Sequence, residues 1–129
     1  MGEGRCSANS TSAITMLLLC MFAFHTKMTH AVRFTVGDDK GWSFGVQSWP
    51  TGKNFKAGDT LVFNYVPPMH NVVKVNETNF NLCVAQPLSG SVILTSGADN
   101  ITLVKGTNFF LCGVGTHCGA GMKITVNAN

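Results

Sequence analysis

"FFLCGVGTHCGAGMKITVN" occupies residues 109–127, and its ends and its middle obey different rules. The ends alternate: Met122, Ile124 and Val126 share one face, and Lys123, Thr125 and Asn127 share the other, the period of a half-buried strand. The middle is a bend in which Gly113, Gly115, Gly119 and Gly121 let the backbone turn freely. Into this bend fall Cys112, His117, Cys118 and Met122, three sulfurs and an imidazole within eleven residues. The segment reads as strand, loop, strand: Cys112 ends the first strand, His117 lies on the bend, and Met122 opens the second.

Working outward, the same alternation recurs. "VRFTV" (32–36) puts Val32, Phe34 and Val36 on one face, and "TLVFNYV" (60–66) does so with Leu61, Phe63 and Tyr65. "HNVVKV" (70–75), "SVILT" (91–95), "NITLV" (100–104) and "NFFLC" (108–112) are further short runs rich in Val, Ile, Phe and Thr. Turn signals separate them, among them "VGDDKG", "KAGDT", "VPPM" and "TSGADN". Only "TNFNLCVA" (78–85) suits a short helix or an irregular loop. Short strands in this rhythm predict an all-β, antiparallel sandwich or barrel. No second domain, repeat or low-complexity linker interrupts it.

The N-terminus has another character. Arg5 precedes an apolar run, "AITMLLLCMFAF" (13–24), and the exit carries the small residues Thr29 and Ala31. That pattern predicts a secretory signal peptide over 1–31, since a membrane span needs about 20 apolar residues. Cleavage after Ala31 leaves a domain of residues 32–129. The last strand is followed only by "NAN", so no lipid anchor is expected. Secretion makes the acceptors "NET" (Asn76) and "NIT" (Asn100) usable for glycosylation; "NST" at Asn9 falls in the leader.

Over residues 32–129 seven Lys and Arg face five acids, scattered along the chain, so nothing suggests a nucleic-acid partner. Two histidines remain there, His70 and His117, with three cysteines, Cys83, Cys112 and Cys118. In an oxidising compartment an odd thiol needs burial or a ligand role.

The donors fit some metals and exclude others. Haem attachment of the Cys-x-x-Cys-His kind fails because the order here is His117-Cys118. Structural zinc prefers closely paired thiolates, which are missing. A blue-copper centre takes one thiolate and two imidazoles near a plane, with a distant thioether on the axis. Cys112, His117 and Met122 supply three of these donors. His70 is the remaining imidazole and enters from the start of another strand. Too few histidines remain for a second, oxygen-reducing copper site, so an oxidase is not expected. Cys118 cannot easily ligate beside His117, because adjacent side chains diverge. By elimination its disulfide partner is Cys83, with Cys112–Cys118 and Cys83–Cys112 as open alternatives. Asn71 either fixes the Cys112 loop by a hydrogen bond or simply forms a turn.

The stretches "FTVGDDKGWSF", "SWPTGKNFKAGDTLVFNY", "MHNVVKVN", "TSGADNITLVKG" and "HCGAGMKITVNAN" resemble the plant phytocyanins, in the plantacyanin or basic blue protein branch of the cupredoxins. The resemblance spans nearly all of residues 32–129. It implies a Greek-key β-sandwich, one type 1 copper held by His70, Cys112, His117 and Met122, and a Cys83–Cys118 disulfide. Met122, where the stellacyanin branch carries Gln, favours plantacyanin. It further implies a monomeric, non-enzymatic one-electron carrier, secreted to the plant apoplast or cell wall. Such a carrier serves an extracellular redox partner or small reductant. The alternative it leaves is a signalling or cell–cell interaction protein of plant reproductive tissue, with copper structural or regulatory. One departure stands out: Gly115 and Thr116 replace the Pro-Gly usual before the second histidine, which predicts a looser loop.

Overall fold

The computed structural model describes residues 10–23 and 29–129. It divides into two compact units, Met1–His30 and Ala31–Asn129. The first carries helix α1, Ser10–Ala23; Arg5, Asn9 and the last residue of the apolar run, Phe24, lie outside the described residues. At 1.5 Å per residue α1 is about 21 Å long, short of the ~30 Å hydrocarbon layer. Among the described residues no helix is long and apolar enough to cross a membrane.

The second unit is a two-sheet sandwich. Its elements are β1 (Arg33–Thr35), β2 (Thr60–Asn64), β3 (Val73–Val75), α2 (Glu77–Leu82), β4 (Ala98–Thr102), β5 (Gly106–Leu111) and β6 (Lys123–Ala128). One sheet has the order β1-β2-β4 and the other β3-β5-β6. The chain changes sheet after β2, after β3 and after β4, the crossing pattern of a Greek key. Alternation holds where it was clearest: Leu61, Phe63, Met122 and Ile124 are fully buried, and Thr125 and Asn127 face out. Trp42, Phe63 and Phe110 fill the centre, with Trp42 edge-on to Phe63 at 5.1 Å between ring centres.

Three expectations need correction. The sandwich is not wholly antiparallel, because β1 runs parallel to β2. A parallel pair needs a crossover of a dozen residues or more, and residues 36–59 supply it. That segment turns through two one-turn 3-10 helices, Asp38–Lys40 and Val46–Ser48, and anchors itself by burying Trp42, Val46 and Trp49. "SVILT" forms no strand. Leu94 alone makes a bridge, exchanging both backbone hydrogen bonds with Val72, while Val92 and Ile93 point to solvent and gain nothing by extending it. "NITLV" is displaced, since β4 starts at Ala98 and turns Asp99 inward. Tyr65 Oη and Ser96 Oγ both donate to the Asp99 carboxylate, which makes its burial tolerable.

A smaller apolar cluster lies on the other face of the β3-β5-β6 sheet: Val73, Val75, Leu111 and Cys118, covered by Phe80, Cys83 and Phe109. The short helix foreseen in "TNFNLCVA" is α2. It starts where the Asn76 side chain accepts from Asn79 N at 2.8 Å, and stops at Cys83, whose φ of 52° is left-handed.

Candidate metal centre

The centre is built on the mouth of the β5–β6 hairpin. Leu111 opposes Lys123 at the last strand pair, so the next pair is Cys112 with Met122. Their backbones stay joined, with Cys112 N donating to Met122 O at 3.1 Å. Both side chains are fully buried and face the larger cluster. The loop between them is stitched rather than slack. His117 N donates to Val114 O, Ala120 N to Thr116 O, Gly121 N to Cys118 O, and Met122 N back to His117 O. Gly115 has a φ of 50°, a conformation closed to proline, whose ring fixes φ near −65°. The turn before His117 therefore keeps its closing hydrogen bond through a backbone that Pro at position 115 would forbid.

His70 arrives just ahead of β3 and is positioned by its neighbour. Asn71 Oδ1 accepts from Gly113 N at 2.6 Å, and Asn71 O accepts from Trp42 Nε1 at 2.8 Å. Asn71 thus ties the His70 segment to the residue following Cys112 and to the buried indole beneath. Gly113 permits the approach: a Cβ there would stand 2.8 Å from the Ala85 methyl and 3.3 Å from Asn71 Oδ1.

Cys112 Sγ lies 3.6 Å from His117 Nδ1 and 3.9 Å from His70 Nδ1, and the two nitrogens are 3.2 Å apart. The centre of this triangle is about 2.1 Å from each corner, the length of a zinc-type bond to nitrogen and about 0.2 Å short of one to sulfur. Cys112, His70 and His117 form a cluster that can hold a metal ion, all donor atoms within 4.8 Å of one another. Burial, and then the proximity of His117, push the His70 imidazole below its ordinary range. That favours the neutral ring, the form that ligates. A soft cysteine sulfur and two imidazoles, with Met122 buried in the same cluster as Cys112, suit copper better than a hard cation. Of the residues singled out in the sequence, His70, Asn71, Cys112, His117 and Met122 come together here.

Cys118 is directed away, to the opposite side of the sheet, where it forms the disulfide with Cys83 at a Cα–Cα distance of 5.6 Å. Both rival pairings are thereby removed, and Cys112 remains a buried free thiol. Asn76 and Asn100 are exposed.

Phe44 had no assigned role from sequence. It is half exposed, and its ring stands edge-on to His117 at 4.8 Å and to His70 at 5.7 Å. The available signal was an aromatic exposed in a glycine-flanked loop, "GWSFG", which is weak without coordinates.

Comparison with known proteins agrees with the geometry. The plastocyanin-like domain family matches residues 40–122. The chain is 44% identical to chemocyanin of Lilium longiflorum, over 99% of each chain. It is 43% identical to basic blue protein of Arabidopsis thaliana, over 98% of this chain and 97% of that one. Among solved structures, cucumber basic protein, a blue copper protein, superposes with a TM-score of 0.71 at 49% identity, over 76% of this chain and 100% of its own. A single buried thiolate, two imidazoles and a thioether on a cupredoxin sandwich make a type 1 copper electron carrier. By fold, donor set and relatives alike, the chain belongs to the phytocyanins, in their basic blue protein branch, and carries one type 1 copper.

Proposed function

We propose that the chain is exported, loses residues 1–31, and works outside the cell as a carrier of single electrons, without transforming a substrate. His70, Cys112 and His117 would hold the metal, and the buried Met122 would offer its thioether as a further, weaker donor. The observation that carries this reading is the gradient of exposure across the donors. Cys112 and Met122 are sealed in the core, whereas His70 and His117 are only partly buried and reach the surface beside Phe44. When bound, copper supplies a one-electron couple; the protein supplies everything else. The Cys112 and Met122 side chains are restrained because both are fully buried and their backbones are hydrogen-bonded to each other. Asn71 fixes the distance between the His70 segment and the Cys112 loop. Donors held in this way change little between oxidation states, and little rearrangement makes transfer fast.

The imidazole edges are the route by which an electron reaches a partner, and Phe44 gives that route an apolar rim. A redox protein or a small reductant docks there. The 14-residue apolar helix α1 supports a leader that is removed, since it is short for a span. Asn76 and Asn100, both exposed, are the positions where glycans attach.

The test is a redox titration of secreted, copper-loaded protein. It should take up one electron per chain, bleach its visible band in step, and consume no oxygen at a catalytic rate. Two-electron uptake or sustained oxygen turnover defeats the reading.

A further inference from the structure

We infer that leader removal seats a new positive charge on Asp59. Once the Ala31–Val32 bond is cut, the Val32 α-ammonium pairs with the Asp59 carboxylate and latches the start of β1 to the turn before β2. The inference rests on export with cleavage after Ala31 and states what that cut does to the fold.

Asp59 is almost completely buried, with 3% of its surface exposed. Its Oδ1 accepts from Val32 N at 2.9 Å and its Oδ2 from Lys56 N at 2.9 Å. Both donors are neutral amides. Among the described residues Asp59 makes no ion pair. A buried carboxylate without a cation is costly and uncommon. Here the backbone nitrogen lying on it belongs to the residue that becomes first after cleavage.

The two groups are held together from both sides. Thr60 N donates to Val32 O at 2.8 Å, so Val32 is gripped through its carbonyl as well as its nitrogen. Asp59 is fixed by Asp59 N to Lys56 O at 3.0 Å and Leu103 N to Asp59 O at 2.8 Å. The charged residues on the segments that hydrogen-bond to Asp59 or follow them are Arg33 on β1, whose guanidinium donates to Asn100 Oδ1, Lys56 in the turn, and Lys105 in the segment after β4. Asn129 O accepts from Ala57 N at 2.8 Å.

Hydrolysis by a leader-removing protease adds one water across the amide. Its oxygen stays on Ala31 as carboxylate, and its two hydrogens end on the Val32 nitrogen, which becomes –NH3+. The existing 2.9 Å contact then joins an ammonium to a carboxylate with no further movement. The register is strict. A cut one residue earlier leaves Val32 N an amide and carries the charge about 3.8 Å or less further along the chain. A cut one residue later discards the donor.

The first measurement is the N-terminus of secreted, copper-loaded protein by mass spectrometry, expected at Val32. The second uses residues 32–129, which contain both hydrophobic clusters and therefore their own core. Three forms are compared in urea: a free Val32 amine, the Nα-acetylated chain, and a chain extended by Ala31. The free amine should lower the unfolding constant about tenfold relative to both blocked forms, as expected when a neutral donor to carboxylate becomes charged. In Asp59→Asn that difference should close. Independently of any substitution, the Val32 α-amine should titrate above its usual ~8. An N-terminus elsewhere overturns the cleavage site along with the latch. An N-terminus at Val32 with equal stabilities, or with an ordinary amine titration, overturns the latch alone.

Discussion

Leu111 ends β5 and Cys112 follows it directly, both fully buried, yet they look into different interiors. Leu111 joins the small cluster under α2, where sulfur is spent on the Cys83–Cys118 crosslink. Cys112 joins the large cluster, where sulfur is kept reduced and within 4 Å of two imidazole nitrogens. The same element thus serves two purposes that strand alternation keeps apart. One side of the sheet is built for stability, the other for redox chemistry, and substitutions should separate the two.

The largest contrast is expected at Cys112. Cys112→Ser should abolish the intense thiolate-to-copper band completely while leaving a folded domain, as seen by circular dichroism. Retained colour would mean that another group is the thiolate. Next comes the crosslink. Replacing Cys83 and Cys118 together by Ala should cost about 3–4 kcal/mol by the chain-entropy account of a loop of this size. The sequence separation is 35 residues. The folded fraction should keep its colour, and urea unfolding followed in parallel with the visible band measures both. If colour vanishes before the fold does, the two sides are coupled more tightly than their geometry indicates.

A smaller effect is expected from Asn71→Ala, which strands Gly113 N without its acceptor and loosens His70 from the Cys112 loop. It should cost about 1–3 kcal/mol and shift the copper band or potential as well. A loss of stability with an unchanged spectrum would reduce Asn71 to a turn residue.

The smallest effect concerns Tyr65, the only tyrosine in the chain. Burial, then its bond to Asp99, pushes its hydroxyl up to about 12. The folded state therefore holds this proton more tightly than the unfolded chain, whose tyrosine titrates near 10. Its contribution to stability is whole below pH 10 and fades as pH climbs towards 12. The tyrosinate absorbance of native protein should accordingly have its midpoint near 12, and Tyr65→Phe should flatten the stability change across that window. A midpoint near 10 would place the ring in solvent.

How much of this was legible beforehand depended on how local each feature is. Cys112, His117 and Met122 were readable because one hairpin carries all three within eleven residues. His70 and the Cys83–Cys118 pair followed because few histidines and cysteines remain once residues 1–31 are set aside. The parallel pairing of β1 with β2 was not readable, since alternation defines a strand's faces but not its neighbour's direction. "SVILT" misled for a similar reason: its composition suits a strand, but only Leu94 finds a partner. Phe44 was invisible because a single aromatic between glycines has no period. The Gly115-Thr116 departure suggested slackness, and the backbone instead turns with a left-handed residue and four internal hydrogen bonds.

The one-residue offset between Leu111 and Cys112 also bears on oxidative folding. If β5 slipped by a single position against its neighbours, the reserved thiol would swing to the side where Cys83 and Cys118 meet. Three sulfurs would then compete for one bond. Native pairing therefore depends on the sheet locking its alignment before oxidation occurs. Premature oxidation should accumulate as a colourless, scrambled product that accepts no metal.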